Sequence, residues 1–515
     1  MTVGAESDER SGVQGESIFS SRYRITTLGI LILMTIIAFE ALAVATALPT
    51  AARSLHGLAS YGWAFTGFLV ASVVGMVVSG MYSDIKGARR PLLVGLLLFI
   101  LGLVIGGMAE AMWVLVAARF VQGLAVGLLI TAMYVVMGEV YSDQVRPRIF
   151  AALAGAWVIP GLVGPVVAGW ITEQLSWRWV FSGLAPFVAV GGVLMLPSLR
   201  QLRQCANPTG RMDRRRIGYA LLTAFGVAGV ANLGENLNAL GAAGAAVGTV
   251  AMVTGLRRLL PPGTPRFASG VPAAIAFRGV LAGIFVGMEV IVPLTLTVQL
   301  HYSPTLAGTP LMLSALSWAT ASAIQGRLRQ PNRARLVALG LVLMAIGGVG
   351  MTLVALRVVP GAVAFAVWPF AGFGAGFAIT SASVVMLECT TDANRGSDSA
   401  ALQLADSSVS ALSAAFAGAL IALAVHGRTG YGTSFAVVYL SMAGIGVLAL
   451  SRASRLRPPA HGDFRDDVEA SGEATADGES PAGRQLAIGG CQPAGGGGQP
   501  VTASVEQRPR GSVSS

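Results

Sequence analysis

Charge is scarce in this sequence. Only 12% of its 515 residues are Asp, Glu, Lys or Arg, and 54% are hydrophobic, whereas an average soluble domain is about 25% charged. A water-soluble globule of this size is therefore excluded. Lysine is nearly missing: Lys86 stands alone against 34 arginines, a bias that with the abundant Ala, Gly and Val points to a GC-rich bacterial genome. Cysteine is limited to Cys205, Cys389 and Cys491. No metal-ligand spacing links them, and the topology below puts all three in the cytoplasm, where disulfides are rare. No loop carries a nucleotide motif, a metal-ligand cluster or a nucleophile with a nearby base, so neither a cofactor nor an enzymatic activity is expected, and an ATP-driven pump or a receptor is disfavoured. The net charge of +10 does not indicate nucleic acid, because the basic residues sit in short gaps between apolar runs and form no face of a folded domain.

Those apolar runs are what the chain has in quantity. A membrane-spanning helix needs about 20 mostly apolar residues. Fourteen such runs occur, near 26–50, 61–82, 91–109, 112–138, 149–171, 178–197, 217–236, 239–256, 274–299, 305–325, 336–356, 361–387, 400–425 and 433–451. Glycine, 66 residues, recurs inside them, which suits helices whose backbones approach closely in lipid. The seventh and eighth runs are the weakest, Gly- and Ala-rich with Asn232, Glu235 and Asn236 at their junction.

Basic loop residues are retained on the cytoplasmic side of a membrane. With the N-terminus inside, the cytoplasmic segments as far as residue 457 hold 25 basic residues, and the opposite loops hold only Arg53, Arg178, Arg357 and Arg428. The span count is thus expected to be even and both termini cytoplasmic. The first residues carry Glu6, Asp8, Glu9 and Glu16 and lack a secretory cleavage site, so 1–25 reads as an uncleaved cytoplasmic tail. Residues 453–515 read as a second tail, disordered from 459 onward because Gly, Pro, Ser, Asp and Glu dominate and apolar surface is wanting.

Four segments carry chemistry. Between spans 2 and 3 the chain reads GMYSDIKGARR, with Gly80, Asp84, Gly87, Arg89 and Arg90. Span 4 contains RFVQG, Arg119 to Gly123; an arginine inside an apolar helix is costly unless paired or hydrated, or unless it snorkels to the surface. Span 5 contains PGLVGPVVAG, with Gly161, Gly164, Pro165 and Gly169, a composition that gives either a bend or ordinary close helix packing. Span 5 is followed by SWRWVF, whose Trp177 and Trp179 suit an interfacial aromatic belt.

Together these segments resemble the signature loop, span 4 pattern, antiporter motif and post-span 5 segment of the major facilitator superfamily, in its branch of fourteen-span drug:proton antiporters. Ile85, Ala88, Pro160 and Ala168 depart from those patterns. The resemblance covers roughly residues 25–452. It implies an all-α integral membrane fold of about fourteen helices: a six-helix bundle at 26–197, a cytoplasmic linker with two inserted helices at 198–273, and a second six-helix bundle at 274–452. The bundles are expected to be related by a pseudo-twofold axis with the binding site between them. It also implies that Asp84 holds a neighbouring helix N-terminus while the inner side is closed, a favourable place for a carboxylate.

Intramembrane acids are rare and tend to line cavities. Glu40 and Glu289 each lie about fifteen residues into spans 1 and 9, the first spans of the two expected bundles. Glu40 stands nine positions before Pro49, as an acid does in the exporter branch, although Leu42 and Ala45 replace polar residues of that frame. Burial disfavours the charged carboxylate whereas Arg119, at comparable depth, favours it, so Glu40, Arg119, Glu289 and Asp406 are the candidate proton-coupling residues. Asp406 in span 13 has a second reading, an acid favoured by the start of its helix. Phe39, Trp157 and Trp318 are either site-lining or packing aromatics. The expected activity is proton-coupled export of amphipathic drugs or other small organic molecules, cationic ones among them, across the cell membrane of a bacterium; the alternatives are export of a lipid or secondary metabolite and proton-coupled uptake. The expected partners are a small-molecule substrate, protons and the lipid bilayer. Cysteines introduced near Arg215 and Arg333 should resist an impermeant thiol reagent added outside, while those near Glu110 and Arg428 react; labelling of both groups from one side contradicts the fourteen-span topology.

Overall fold

The computed structural model describes residues 17–142, 145–201, 214–232, 239–328, 332–390 and 395–456. The first tail through residue 16, the Asn232 to Asn236 junction except the backbone of Asn232, Cys205, Cys491 and the tail from 457 lie outside the described residues, as does the side chain of Asp84. In chain order the helices are α1 (Arg24–Ser54), α2 (Tyr61–Lys86), α3 (Arg89–Gly107), α4 (Met112–Val140), α5 (Arg146–Gly155), α6 (Val158–Gln174), α7 (Trp177–Ser182), α8 (Ala185–Gln201), α9 (Arg214–Asn232) and α10 (Ala239–Leu259). They continue as α11 (Val271–Glu289), α12 (Val292–Leu294), α13 (Pro304–Arg327), α14 (Arg333–Ala355), α15 (Ala364–Cys389), α16 (Arg395–Val425) and α17 (Tyr431–Leu450). No strand occurs among the described residues. An apolar chain in lipid must satisfy its backbone within each segment, and the helix does so.

Ten helical segments among the described residues are long and apolar enough to cross a membrane. The fifth, seventh, eighth and tenth expected spans also form helices, α5 with α6, α9, α10 and α13, but are not among those ten. Proline explains where several spans are interrupted, since it lacks an N–H and its ring clashes with the carbonyl four residues earlier. Span 5 breaks at Ala156 and Trp157, four and three residues before Pro160. Span 6 breaks at Gly183 and Leu184, just before Pro186. Span 9 breaks after Glu289, ahead of Pro293, and continues through α12 into a π-helical turn at Thr295–Gln299.

The helices from α1 to α8 pack mainly among themselves, with α2 and α3 on α4 and with α6 and α8 on α1; α11 and α13–α17 do likewise through the α11/α16, α13/α15, α14/α15 and α14/α17 pairs. Two seams join the sets, α6 on α13 and α2 on α16. The hairpin α9/α10 lies beside the second, where Val227, Ala231 and Met252 cluster with Val70, Ala411 and Ala415. Outward-facing Leu97, Trp113, Phe225 and Leu448 are exposed, an apolar perimeter suited to lipid.

The seams are tight at one end, the end that carries Arg53, Arg178 and Arg428. A methyl added at Gly418 would lie 2.6 Å from Gly62 Cα, and one added at Gly169 would lie 2.6 Å from Thr305 Cα. Further along, Gly308 meets the Pro165 carbonyl and Gly161 meets Ala315, whereas Gly155 and Gly326, near the opposite end, have nothing within 4 Å. The α6/α13 seam therefore closes at the Arg-poor end and parts toward the Arg-rich end.

Candidate functional site

Among the described residues the apolar interior contains one fully enclosed ion pair. Glu40 lies in the middle of α1 and is completely buried; Arg119, about two helical turns into α4, is 2% exposed and donates through Nη1 to Glu40 Oε1. The same nitrogen reaches Gln122 Oε1 at 2.6 Å, Nε donates to the Ala64 carbonyl at 3.2 Å, and the guanidinium lies 4.1 Å from the Phe68 ring centroid. Gln122 in turn donates to the Gly102 carbonyl at 2.9 Å. RFVQG thus acts as a unit. Residues three apart share a helix face, so Arg119 and Gln122 work together, while Gly123 admits α2 so closely that a methyl there would lie 2.7 Å from the Phe68 carbonyl carbon. Arg119 does not snorkel. Among the described residues Glu40 Oε2 has no hydrogen-bond partner.

A second pair lies among the later helices. Arg278 on α11 reaches Asp406 Oδ2 through Nε at 2.7 Å and Nη2 at 2.6 Å, and Nη1 donates to Ser383 Oγ at 2.9 Å. Both charged side chains are partly exposed, 21% and 17%. Asp406 is three turns past the start of α16, so its partner is Arg278 and the helix-start reading falls. Arg278 was not among the residues singled out from the sequence. The signal was present, an arginine seven residues after the start of an apolar helix, but it was hidden by attention to acids. Tyr134 of α4 lies near enough to Arg278 to feel its charge.

Glu289 differs from both. It is the last residue of α11, and among the described residues it has neither an ion pair nor a hydrogen bond through its carboxyl group. The equal spacing of Glu40 and Glu289 along their spans therefore conceals unlike surroundings, a continuous helix with an arginine and a broken helix without one. No hydrogen bond or ion pair among the described residues joins Glu40, Glu289 and Asp406 to one another. One turn before Glu289, Phe285 stacks on Trp368 at 5.7 Å and meets Trp318 edge-on at 5.2 Å. Phe39 packs against Gly164, and Trp157 is exposed at the break in span 5.

The motif residues are placed as follows. Gly87 ends α2 at φ +80°, a backbone that L side chains rarely adopt, Arg89 begins α3, and Arg90 donates to the Tyr82 hydroxyl at 2.9 Å. Gly80 sits on α2 with only Thr131 near it, and Asp84 occupies the last turn of that helix. Pro165 lies inside α6, downstream of the actual break; Gly161 and Gly169 meet α13 and Gly164 meets α1. Trp179 is exposed as a belt residue would be, but Trp177 is buried, with Nε1 donating to Ser54 Oγ at 2.9 Å. That tryptophan ties α7 to the end of α1.

A sequence model of the Major Facilitator Superfamily matches residues 28–414. The chain belongs to this superfamily. As a member of it the chain is a multi-pass membrane protein and not an enzyme. It is 31% identical over 206 residues to the acurin A biosynthesis cluster MFS-type transporter of Aspergillus aculeatus, 39% of this chain and 37% of that protein. It is 28% identical over 188 residues to the multidrug transporter protein MdtP of Bacillus subtilis, 36% of this chain and 35% of that protein. The matches thus span little more than a third of these relatives' length. The fold is similar to a POT family transporter crystallised with 5-aminolevulinic acid, TM-score 0.64 at 14% identity over 85% of this chain and 98% of that one. It is also similar to the human organic anion transporter MFSD10, TM-score 0.56 at 15% identity over 84% and 98%.

Breaking a buried pair leaves an unpaired charge, at a cost of about 3–5 kcal/mol, whereas replacing both members with apolar residues is often neutral. Arg119→Ala should therefore destabilise this facilitator by about 3–5 kcal/mol, and Glu40→Leu with Arg119→Met should lie near wild type. Thermal unfolding in detergent checks both; equal losses in the two variants contradict the pairing.

Proposed function

We propose that this facilitator exports amphipathic small organic molecules in exchange for protons, by alternating access across a bacterial cell membrane. The observation that carries the reading is the buried Glu40 with one oxygen on Arg119 and the other without a partner. Burial favours the neutral carboxyl and the guanidinium favours the charged one. A helix movement that changes their separation changes which form is preferred, and antiport requires such a link between proton and conformation. Glu289 and Asp406 are the further proton sites in this reading, the first unpaired and the second shared with Arg278.

The proposed architecture has fourteen spans: a bundle at 26–197, two helices inserted within 198–273 and a second bundle at 274–452, with both termini cytoplasmic. The Arg-poor end then faces outward, and the seams, both closed there with α6/α13 parted opposite, correspond to an inward-facing form. In the outward-facing form Asp84 would hold the start of α16. The names of MdtP and of the efflux pump dotC of Dothistroma septosporum, 28% identical over 157 residues, 30% of this chain and 27% of that protein, support efflux. The acurin A cluster relative favours a second reading, export of a secondary metabolite by the same route. A broad compound panel in a drug-sensitive host separates the two.

Glu40→Gln keeps the size and polarity of the side chain and removes its proton. In proteoliposomes, with a transported compound from that panel, the variant should lose movement driven by an imposed proton gradient by about two orders of magnitude, the range typical of a lost positioned proton-transfer group, while keeping substrate binding and downhill movement. Normal gradient-driven export by the Gln variant across pH removes Glu40 as the carrier.

A further inference from the structure

The break in α11 beside Glu289 is held from the other helix set. Pro293 has no N–H, so the carbonyl of Glu289 lacks the donor that a continuous helix would supply, and the chain crosses Val290 and Ile291 without regular helix. The carbonyl of Val290 is not left bare. It accepts a hydrogen bond at 2.8 Å from the hydroxyl of Tyr61, the first residue of α2, which is completely buried and rests its ring 5.4 Å from that of Phe65. Seven residues further on, Arg53 Nη1 reaches the Thr297 carbonyl at 3.4 Å. Both donors come from the α1/α2 side, and both acceptors lie on the interrupted stretch that follows Glu289.

These contacts sit at the end where the seams are tight. Gly62, next to Tyr61, is the residue that abuts Gly418. Any movement that parts α2 from α16 at this end draws the Tyr61 hydroxyl off the Val290 carbonyl. The backbone next to Glu289 then loses a donor, and the carboxyl changes surroundings. Tyr439 of α17 holds the far side of the stretch through Thr295 Oγ1 at 3.1 Å; it belongs to the same helix set as Glu289 and has no such dependence on the seam.

We propose that Tyr61 is a positioning residue for Glu289, fixing the break beside it only while the Arg-poor end is shut and so linking protonation of that carboxyl to closure of that end. This rests on the reading that the two helix sets alternate and that Glu289 is one of the proton sites. Glu289 is partly buried in the shut form, and an unpaired carboxylate is costlier to bury than a neutral carboxyl, so the shut form should favour the neutral acid and rising pH should open this end. The titratable and charged groups facing this stretch are Tyr61 from α2, Tyr439 from α17, Arg53 from the end of α1 and Arg357 from the loop after α14, which donates to the Gln299 carbonyl. At Gly287, two residues before Glu289, α16 and α17 present Ser413 and Met442. Arg278 and Asp406 lie three turns away toward the Arg-rich end.

The test uses the full chain in lipid nanodiscs without substrate, its cysteines replaced by serine, with spin labels at the exposed loop residues His56 and Arg428 before α2 and after α16. Distance distributions give the open-to-shut ratio at this end from about pH 5 to about pH 9. The wild-type ratio should rise with pH, and Glu289→Gln should lose at least about tenfold of that rise, the equivalent of one pKa unit. Tyr61→Phe, which removes a single oxygen and keeps the ring on Phe65, should lose a comparable part, and the double variant should lose no more than Glu289→Gln. A Tyr61→Phe ratio multiplied equally at every pH, with Glu289→Gln still flattening the response, makes Tyr61 a simple latch and overturns the proposal alone. A full pH response in Glu289→Gln overturns the reading of Glu289 as a proton site and the proposal with it.

Discussion

A carboxylate and a guanidinium enclosed together in an apolar helix bundle constrain everything around them. Glu40 and Arg119 must meet, so α1 and α4 must be held at a separation their side chains span. The rest of the RFVQG segment serves that requirement. Gln122 satisfies Arg119 from the same helix face, Phe68 covers the guanidinium, and Gly123 and Gly102 remove the bulk that would keep α2 and α3 away. A buried pair of this kind is no source of net stability against an apolar replacement. Its presence is better explained by a use, and the unsatisfied second oxygen of Glu40 indicates where that use lies.

Movement needs seams that close without locking. The contacts across α6/α13 and α2/α16 are made largely by glycine against backbone, Gly62 on Gly418 and Gly169 on Thr305. Such surfaces gain dispersion energy from close approach, and at these glycines no side chain stands between the two backbones. The polar contacts between the helix sets at the shut end include, among the described residues, Tyr61 to Val290, Arg53 to Thr297 and Glu173 to the backbone of Thr305. The proline-associated breaks in spans 6 and 9 lie toward the same end, that of span 5 toward the opposite one, and the break in span 9 adjoins an acid, Glu289.

Much of the fold was legible because lipid imposes simple demands. Apolar runs of sufficient length marked the helices, and the RFVQG and Gly80 to Arg90 segments marked the family. Boundaries were read less well where proline acted at a distance: helices end four or five residues upstream of Pro160, Pro186 and Pro293, so spans 5, 6 and 9 looked continuous. Partnerships across the bundle were legible for Glu40 with Arg119, where both charges were known to be deep. They were missed for Asp406 with Arg278, because a helix start offered a local explanation for the acid. Trp177 looked like its neighbour Trp179, and only packing separates a buried tie from a belt residue.

The account depends on Glu40 changing its proton rather than keeping one form throughout. Infrared difference spectroscopy of the purified protein across a pH titration reads this directly, since a protonated carboxyl has a carbonyl stretch that a carboxylate lacks. The account predicts such a band in wild type at low pH, its loss as pH rises, and its absence from Glu40→Gln. A Glu40 band that persists at every pH, or one that never forms, contradicts it.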